Sequence, residues 1–314
     1  MERYQLILYC ALLVIAIFHS ACGSVGDRLE RYQSLLSQCV ANCREATIPW
    51  SISIFGWDCL DNCKYLSMHQ VVDELIEYNQ PIPQWHGKWP FVRFLGIQEP
   101  ASVVFSIGNA MANYFGWKAY RESVHSNYRM YHVVRTYTMV SVNAWLWSTI
   151  FHTRDLLWTE RMDYFSAGAV IAFGHYLFMF YILTNYGYKW LARLYGGIVL
   201  LLYSCHIYYM AFIQFSYSYN MRANVAVGFL TALCWCTWFI KTAKSRPHVW
   251  IGFLCAIGTP AVAALELFDF PPFWWTFDAH SLWHAATIPF AYIWFLFLRS
   301  DAELEIRRDQ GKLE

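Results

Sequence analysis

Long apolar segments separated by short polar loops fill the chain from residue 101 to about residue 300. Each segment is close to the ~20 residues that an α-helix needs to cross a bilayer. Because backbone groups in lipid must be hydrogen-bonded within the protein, such segments are stable in a membrane only as helices. The predicted fold class is therefore an all-α membrane protein with seven transmembrane helices. Their approximate ranges are 101–117, 132–152, 164–184, 192–212, 222–240, 248–268 and 280–298.

The composition agrees with a membrane location. Charged residues make up 14% and hydrophobic residues 57% of the 314 positions, and the mean hydropathy is +0.27. A soluble protein of ordinary composition carries about 25% charged residues. The net charge is only +1, so we expect no nucleic-acid partner. Membrane lipids are the expected surroundings instead.

The first residues have the pattern of a signal peptide. An apolar run begins at Leu6, is too short for a span, and is followed by the small residues Ala21 and Gly23. Cleavage there places the mature N-terminus in the secretory lumen, which is oxidising. The predicted domains are a signal peptide (1–23), a luminal cysteine-containing domain (24–100), a seven-helix transmembrane domain (101–300) and a cytosolic tail (301–314).

The distribution of basic residues predicts the same orientation. If the N-terminus is luminal, the first, third and fifth loops and the tail are cytosolic, and cytosolic loops carry an excess of Lys and Arg. The opposite loops carry only Arg154, Arg161 and Arg222. The predicted cytosolic regions carry Lys118, Arg121, Arg129, Lys189, Arg193, Lys241, Lys244, Arg246, Arg299, Arg307, Arg308 and Lys312.

Two histidines begin the seventh segment, in the stretch DAHSLWHAATIPF. His280 and His284 are four residues apart, so a helix places them on one face. His152 ends the second segment on the same luminal side. Three neutral imidazoles with one open position are the ligand set of a catalytic zinc site. The pattern therefore favours Zn²⁺ on these three histidines, and the alternative is that they are interior polar residues without a metal.

Two further polar residues lie near His152 in the sequence. Asp163 follows it by eleven residues across a short luminal turn, and a carboxylate beside a metal-bound water acts as a general base. Ser148 lies one helical turn before His152, where its hydroxyl would orient the water or stabilise an oxyanion. Asp278 precedes the histidine pair, either as a helix N-cap, which we favour, or as a hydrogen-bond partner of a ligand histidine.

Four cysteines lie in the predicted luminal domain. Cys39 and Cys43 share one helix face if that segment is helical, and so do Cys59 and Cys63. Two antiparallel helices joined by Cys39–Cys63 and Cys43–Cys59 disulfides are the preferred arrangement, although four cysteines allow three connectivities. A zinc site of four thiolates is the alternative, which an oxidising lumen disfavours. Spacing assigns no role to residues 84–100.

Long stretches of the chain resemble the post-GPI attachment to proteins factor 3 family. They are HGKWPFVRFLGIQEPASVVFSIGNAMANY (86–114), NAWLWSTIFHTRDLLWTERMDYFSA (143–167) and LELFDFPPFWWTFDAHSLWH (265–284), and the resemblance covers nearly the whole chain. The order of the polar residues is also similar to that of the membrane hydrolase superfamily of alkaline ceramidases and adiponectin-type receptors. Those residues are Ser148, His152, Asp163, His280 and His284.

The resemblance implies a GPI-specific phospholipase A2 that removes the sn-2 acyl chain from GPI-anchored proteins during fatty-acid remodelling. It implies zinc on the three histidines, with Asp163 on the attacking water and Ser148 as a polar partner. It also implies residence in the Golgi membrane, with the endoplasmic reticulum as the alternative. Three other functions compete: a ceramidase-like amide hydrolase, a non-catalytic seven-helix receptor with a structural metal, and a transporter or scaffold. The last predicts charged residues along a membrane path, whereas Glu266 is the only acidic residue near the interior of a predicted span.

Overall fold

The computed structural model describes residues 24–43 and 48–311, and the predicted signal peptide lies outside the described residues. Helices and loops account for these ranges, in which β-structure is limited to isolated bridges. The chain divides into two compact units. The described residues of the first unit lie within Met1–Ile48, Trp57–Pro90 and Ser216–Arg222. Those of the second unit lie within Pro49–Gly56, Phe91–Phe215 and Ala223–Glu314.

Two antiparallel helices form the centre of the first unit. Helix α1 covers Glu30–Ala41 and helix α2 covers Cys59–Glu77. The disulfides Cys39–Cys63 and Cys43–Cys59 join them, which confirms the preferred pairing and leaves no thiolates for the alternative zinc site. Nearer the other end of the pair, Arg31 and Glu74 form an exposed salt bridge of 2.6 Å.

The stretch QWHGKW folds back as a tight turn on α1. Trp85 and Lys88 exchange backbone hydrogen bonds, and His86 and Gly87 between them both have positive φ. Trp85 and Tyr32 are almost fully buried, and the Tyr32 hydroxyl lies 2.8 Å from Nε2 of His86. Part of the stretch left without a role by the sequence is therefore the core of this unit.

Seven long helices follow, and each overlaps one of the predicted apolar segments. Four of them, α5, α6 with its π-helical extension to Ile213, α7 and α9, are long and apolar enough to cross a membrane. The chain is thus a membrane protein, and seven spans stay a prediction. The helices are α3 (Pro100–Ser123), α4 (Tyr131–Thr153), α5 (Leu157–Asn185), α6 (Lys189–Tyr208), α7 (Tyr217–Thr242), α8 (Val249–Ala263) and α9 (Ala279–Asp309).

Helix α9 packs against α3 and α8, α3 packs against α4, and α4 packs against α5. The approach of α3 to α9 is close at Gly116, where an added Cβ would lie 2.5 Å from the ring of Phe295. Buried aromatic residues such as Trp235 and Phe297 fill the core around this contact. Both α4 and α9 pack against α3. Polar residues at adjacent ends of these three helices are therefore brought together.

A buried ionic network holds the C-terminal half of α9. Arg246 contacts Asp301 at 2.5 Å and Glu305 at 3.0 Å, and Arg129 contacts Glu305 at 2.5 Å. The hydroxyl of Tyr181 donates to Asp301 at 2.7 Å. These contacts extend α9 to Asp309, so the first part of the predicted tail is helical. The network ties two interhelical loops to the same helix.

Candidate metal centre

The first turn of α9 is fixed by a capping box. The carboxylate of Asp278 accepts from the backbone N–H of Ser281 at 2.8 Å, and the backbone N–H of Asp278 donates to the Ser281 hydroxyl at 3.0 Å. Asp278 is therefore the N-cap, as favoured from the sequence. This cap sets the direction of the next turn, in which the rings of His280 and His284 lie 4.6 Å apart between centroids.

The last turn of α4 brings the third histidine. The carbonyl oxygen of His152 accepts from the backbone N–H of Glu99 at 3.0 Å, and that of Thr153 accepts from Gln98 at 3.0 Å. These bonds satisfy carbonyl groups that the end of a helix leaves free. They also fasten the end of α4 to the segment that precedes α3.

The three predicted histidines converge. Nε2 of His152 lies 3.3 Å from Nε2 of His280, and the ligand atoms of the group all lie within 4.8 Å of one another. His152 and His284 are each 2% exposed, and His280 is half-buried. Two nitrogens bound to one tetrahedral zinc at 2.0–2.1 Å are separated by about 3.3 Å. The donor set and this spacing fit zinc with a fourth position left open.

A buried carboxylate holds the ring of His152. Oε2 of Glu99 lies 2.7 Å from Nδ1 of His152, and Glu99 is 4% exposed. A metal-binding histidine usually donates its other ring N–H to such a partner, which fixes the tautomer and the ring orientation. Here the contact uses Nδ1 of His152 and leaves Nε2 as the ligand nitrogen. One carboxylate close to three imidazoles also lowers the cost of holding a cation in this buried place.

A serine on α3 holds the ring of His284 in the same way. The hydroxyl of Ser106 lies 3.0 Å from Nδ1 of His284 and 3.0 Å from the hydroxyl of Ser148, and both serines are buried. Asn109, one turn later on α3, donates to the backbone carbonyl of His284 at 2.8 Å. Ser148 therefore reaches the histidines through Ser106. A direct role on water or on an oxyanion stays a prediction.

Asp163 lies in the second turn of α5 and is half-buried. In the described part of the chain, the group of converging ligand atoms comprises the three histidines and not Asp163. This placement suits a residue outside the ligand set, and its predicted role as a base stays untested.

Sequence reasoning missed two residues of this centre. Glu99 was part of the unassigned stretch 84–100, although a carboxylate directly before Pro100 and an apolar segment is an unusual feature. Ser106 belongs to a stripe of polar residues at helical spacing on an otherwise apolar helix, which was the available signal. The stripe consists of Ser102, Ser106, Asn109 and Asn113, all of them buried.

Bilayer-length apolar helices and a histidine centre at helix ends define the class: an integral membrane protein with a candidate metal site. The chain belongs to the Per1-like family, whose model matches residues 49–302. No solved structure matches the chain. The predicted wider relation to alkaline ceramidases and adiponectin-type receptors stays a prediction.

Relatives cover almost all of the chain. A Xenopus tropicalis protein named GPI-specific phospholipase A2-like PGAP3 is 39% identical over 300 residues, which cover 92% of this chain and 94% of that protein. The Homo sapiens protein of the same name is 37% identical over 303 residues, 94% of each. A Schizosaccharomyces pombe protein named Protein PER1 homolog is 33% identical over 318 residues, 98% and 96% of the two chains.

Proposed function

We propose that this chain is a zinc-dependent membrane hydrolase that removes the sn-2 acyl chain from GPI-anchored proteins during GPI fatty-acid remodelling. The observation that carries the proposal is the convergence of the ligand nitrogens of His152, His280 and His284. Relatives named as GPI-specific phospholipase A2-like proteins, similar over nearly the full chain, support the choice of substrate.

The histidines would hold zinc through their free ring nitrogens. When bound, zinc supplies a Lewis acid and a water whose pKa is lowered to about 7. Glu99 keeps the Nδ1 proton of His152 directed away from the ligand position, and Ser106 fixes the ring of His284. Both residues would act by positioning ligands, since each contacts Nδ1 of one histidine.

The proton of the attacking water needs an acceptor, and we assign that role to Asp163. Hydrolysis adds the water oxygen to the acyl carbon, breaks the bond to the sn-2 oxygen and returns a proton to that oxygen. A carboxylate outside the ligand set can take the first proton and deliver it to the leaving oxygen. The products are a free fatty acid and a lyso-lipid that stays attached to the GPI-anchored protein.

The proposal includes the cellular location. The excess of basic residues in the first, third and fifth loops and in the tail supports a luminal N-terminus and luminal histidines, in the Golgi membrane or the endoplasmic reticulum. Pro81→Ser creates an Asn-x-Ser glycosylation sequence at Asn79, in an exposed turn after α2. Glycosylation of this variant is expected if the first unit is luminal, and processing to complex glycans is expected in the Golgi. An unmodified Asn79 would contradict the orientation.

The test of function is fatty-acid release by the purified full chain in nanodiscs that contain a diacyl GPI-type lipid. Zinc-dependent release of one chain is expected for the natural sequence, and complete loss is expected for His284→Ala. His132→Ala is the matched control, because His132 lies at the opposite end of α4 and is exposed. Stoichiometric zinc binding without lipid hydrolysis would favour a receptor, and release from ceramide instead of the GPI lipid would favour an amide hydrolase.

A further inference from the structure

Two tight turns of the second unit carry large apolar side chains at their tips. In the first turn, Phe94 and Ile97 exchange backbone hydrogen bonds of 2.9 and 3.0 Å around Leu95 and Gly96. In the second turn, residues 273 and 277 exchange bonds of 2.8 and 3.0 Å around the sequence WWT. Such short connections need a left-handed backbone at their tips, which normally selects Asn, Asp or Gly.

The residues at these tips are unsuited to that backbone. Leu95 has φ 50°, Trp274 has φ 51° and Trp275 has φ 55°, values that strain a bulky side chain. Gly96 meets the requirement, since it has φ 88° and a Cβ there would lie 2.7 Å from the ring of Phe55. Residues that do not suit the local backbone conformation, and that gain no buried contacts in return, indicate a functional constraint.

Packing does not account for Leu95 and Trp274, because both are exposed, as are their neighbours Phe94 and Phe273. The exposed fraction is 62% for Phe94, 69% for Leu95, 58% for Phe273 and 83% for Trp274. We call these four side chains the apolar rim. The backbone N–H of Val92 donates to the carbonyl of Trp275 at 2.9 Å, so the two turns are joined. The rim thus consists of the exposed apolar tips of two joined turns, and neither turn contains a charged residue.

Chain connectivity places the rim beside the candidate metal centre. Leu95 precedes Glu99, the partner of His152, by four residues, and Trp274 precedes His280 by six. The rim also lies directly before α9, a helix long and apolar enough to cross a membrane. Aromatic residues with a polar ring atom are favoured where the hydrocarbon of a bilayer meets the headgroups, and the sn-2 ester of a phospholipid lies near that depth.

We propose that the apolar rim binds the acyl chains of a phospholipid close to their ester bonds and so presents the sn-2 ester to the histidines. The presentation of the ester for hydrolysis rests on the proposed function. The contact between the rim and acyl chains does not depend on it and can be tested by itself. A protein partner is disfavoured, because the tips offer no charged group to orient it and they lie at the membrane end of α9.

The test is the double variant Leu95→Asn/Trp274→Asn, with Trp250→Asn as control. Asn accepts the left-handed backbone, so the double variant should melt at the same temperature or higher. Trp250 is 65% exposed and lies at the other end of the bundle, in the first turn of α8. Two substrates are compared: a diacyl GPI-type lipid in nanodiscs, and a short-chain diacyl phosphatidylinositol dissolved as a monomer.

The double variant should hydrolyse the nanodisc lipid about tenfold more slowly, because binding energy from the acyl chains no longer positions the ester. Its rate on the dissolved substrate should change by less than about twofold, since the ester of a dissolved monomer does not have to be drawn out of a bilayer and the histidine centre is intact. The Trp250→Asn control should match the natural protein on both substrates. Equal losses on both substrates, or no loss on either, would overturn the role of the rim.

A second measurement separates this inference from the proposed function. A phosphatidylinositol with a photoreactive diazirine on the first carbons of its sn-2 chain is cross-linked to the full chain in nanodiscs, and the labelled residues are found by mass spectrometry. Labelling at Phe273 or Trp274, lost in the double variant, supports the rim. Labelling without any hydrolysis would refute the proposed function and keep the rim, whereas absence of label at both residues would refute the rim.

Discussion

If the three histidines hold zinc as proposed, the contact between Glu99 and His152 makes the zinc affinity sensitive to one charge. Glu99→Gln keeps the size of the side chain and its ability to accept from Nδ1 of His152, but removes the negative charge. The contact is 2.7 Å long and both residues are buried, so solvent does not screen it. The substitution therefore changes an ionised hydrogen bond into a neutral one without opening a cavity.

The size of the effect follows from that change. Hydrogen bonds to charged groups contribute about 1.5–3 kcal/mol and neutral ones about 0.5–1.5 kcal/mol, so the loss is roughly 1–1.5 kcal/mol. A loss of that size corresponds to about a tenfold weaker zinc affinity. This loss lies at the lower end of the range, about 10–100-fold, by which removing the hydrogen-bond partner of a metal ligand weakens metal affinity.

Competition with a zinc chelator at constant pH measures this affinity on the detergent-solubilised full chain, without any assay of activity. Glu122→Gln is the control, because Glu122 is exposed in the last turn of α3 and should have no effect. A melting temperature recorded without zinc shows whether the variant is folded. An affinity of Glu99→Gln equal to that of the natural protein would refute the role given to this contact.

Three further predictions concern separate parts of the molecule. Asp163→Asn should keep stoichiometric zinc, measured by atomic emission, and lose most lipid hydrolysis; simultaneous loss of zinc would make Asp163 a ligand. Arg246→Met should lower the stability in detergent by roughly 3 kcal/mol, because it removes the arginine partner of buried Asp301 and one of the two arginine partners of Glu305. Arg299→Met, which breaks only the more exposed pair with Glu303, should cost under about 1 kcal/mol. Replacing Cys43 and Cys59 by Ser should destabilise the first unit by roughly 3 kcal/mol, seen as faster proteolysis of α1 and α2, whereas Cys205→Ser should not.

Local patterns predicted much of the fold and the histidine centre. The four-residue spacing of His280 and His284 fixes one face of a helix, and apolar segments of bilayer length fix helices in lipid. The cysteine spacing at Cys39 and Cys43 similarly favoured a pairing that the structure has. In each case the pattern acts within one helix or between two neighbouring helices.

Contacts between distant segments could not be predicted in the same way. Glu99 meets His152 across 53 positions, from a segment that has no periodicity. The turn around Trp274 lacks the Asn or Gly by which such turns are normally identified. The extension of α9 to Asp309 depends on Arg246 and Arg129, which neutralise acidic residues that otherwise indicate an exposed tail.

The histidine centre is assembled from both halves of the chain, and this has a consequence for biosynthesis. Glu99 and His152 can meet as soon as α4 has been synthesised, but His280 and His284 belong to the last of the seven long helices to leave the ribosome. Domains and helices form in the order of their synthesis. The three histidines therefore first meet when the last of these helices has been synthesised, so an unfinished chain lacks the complete centre.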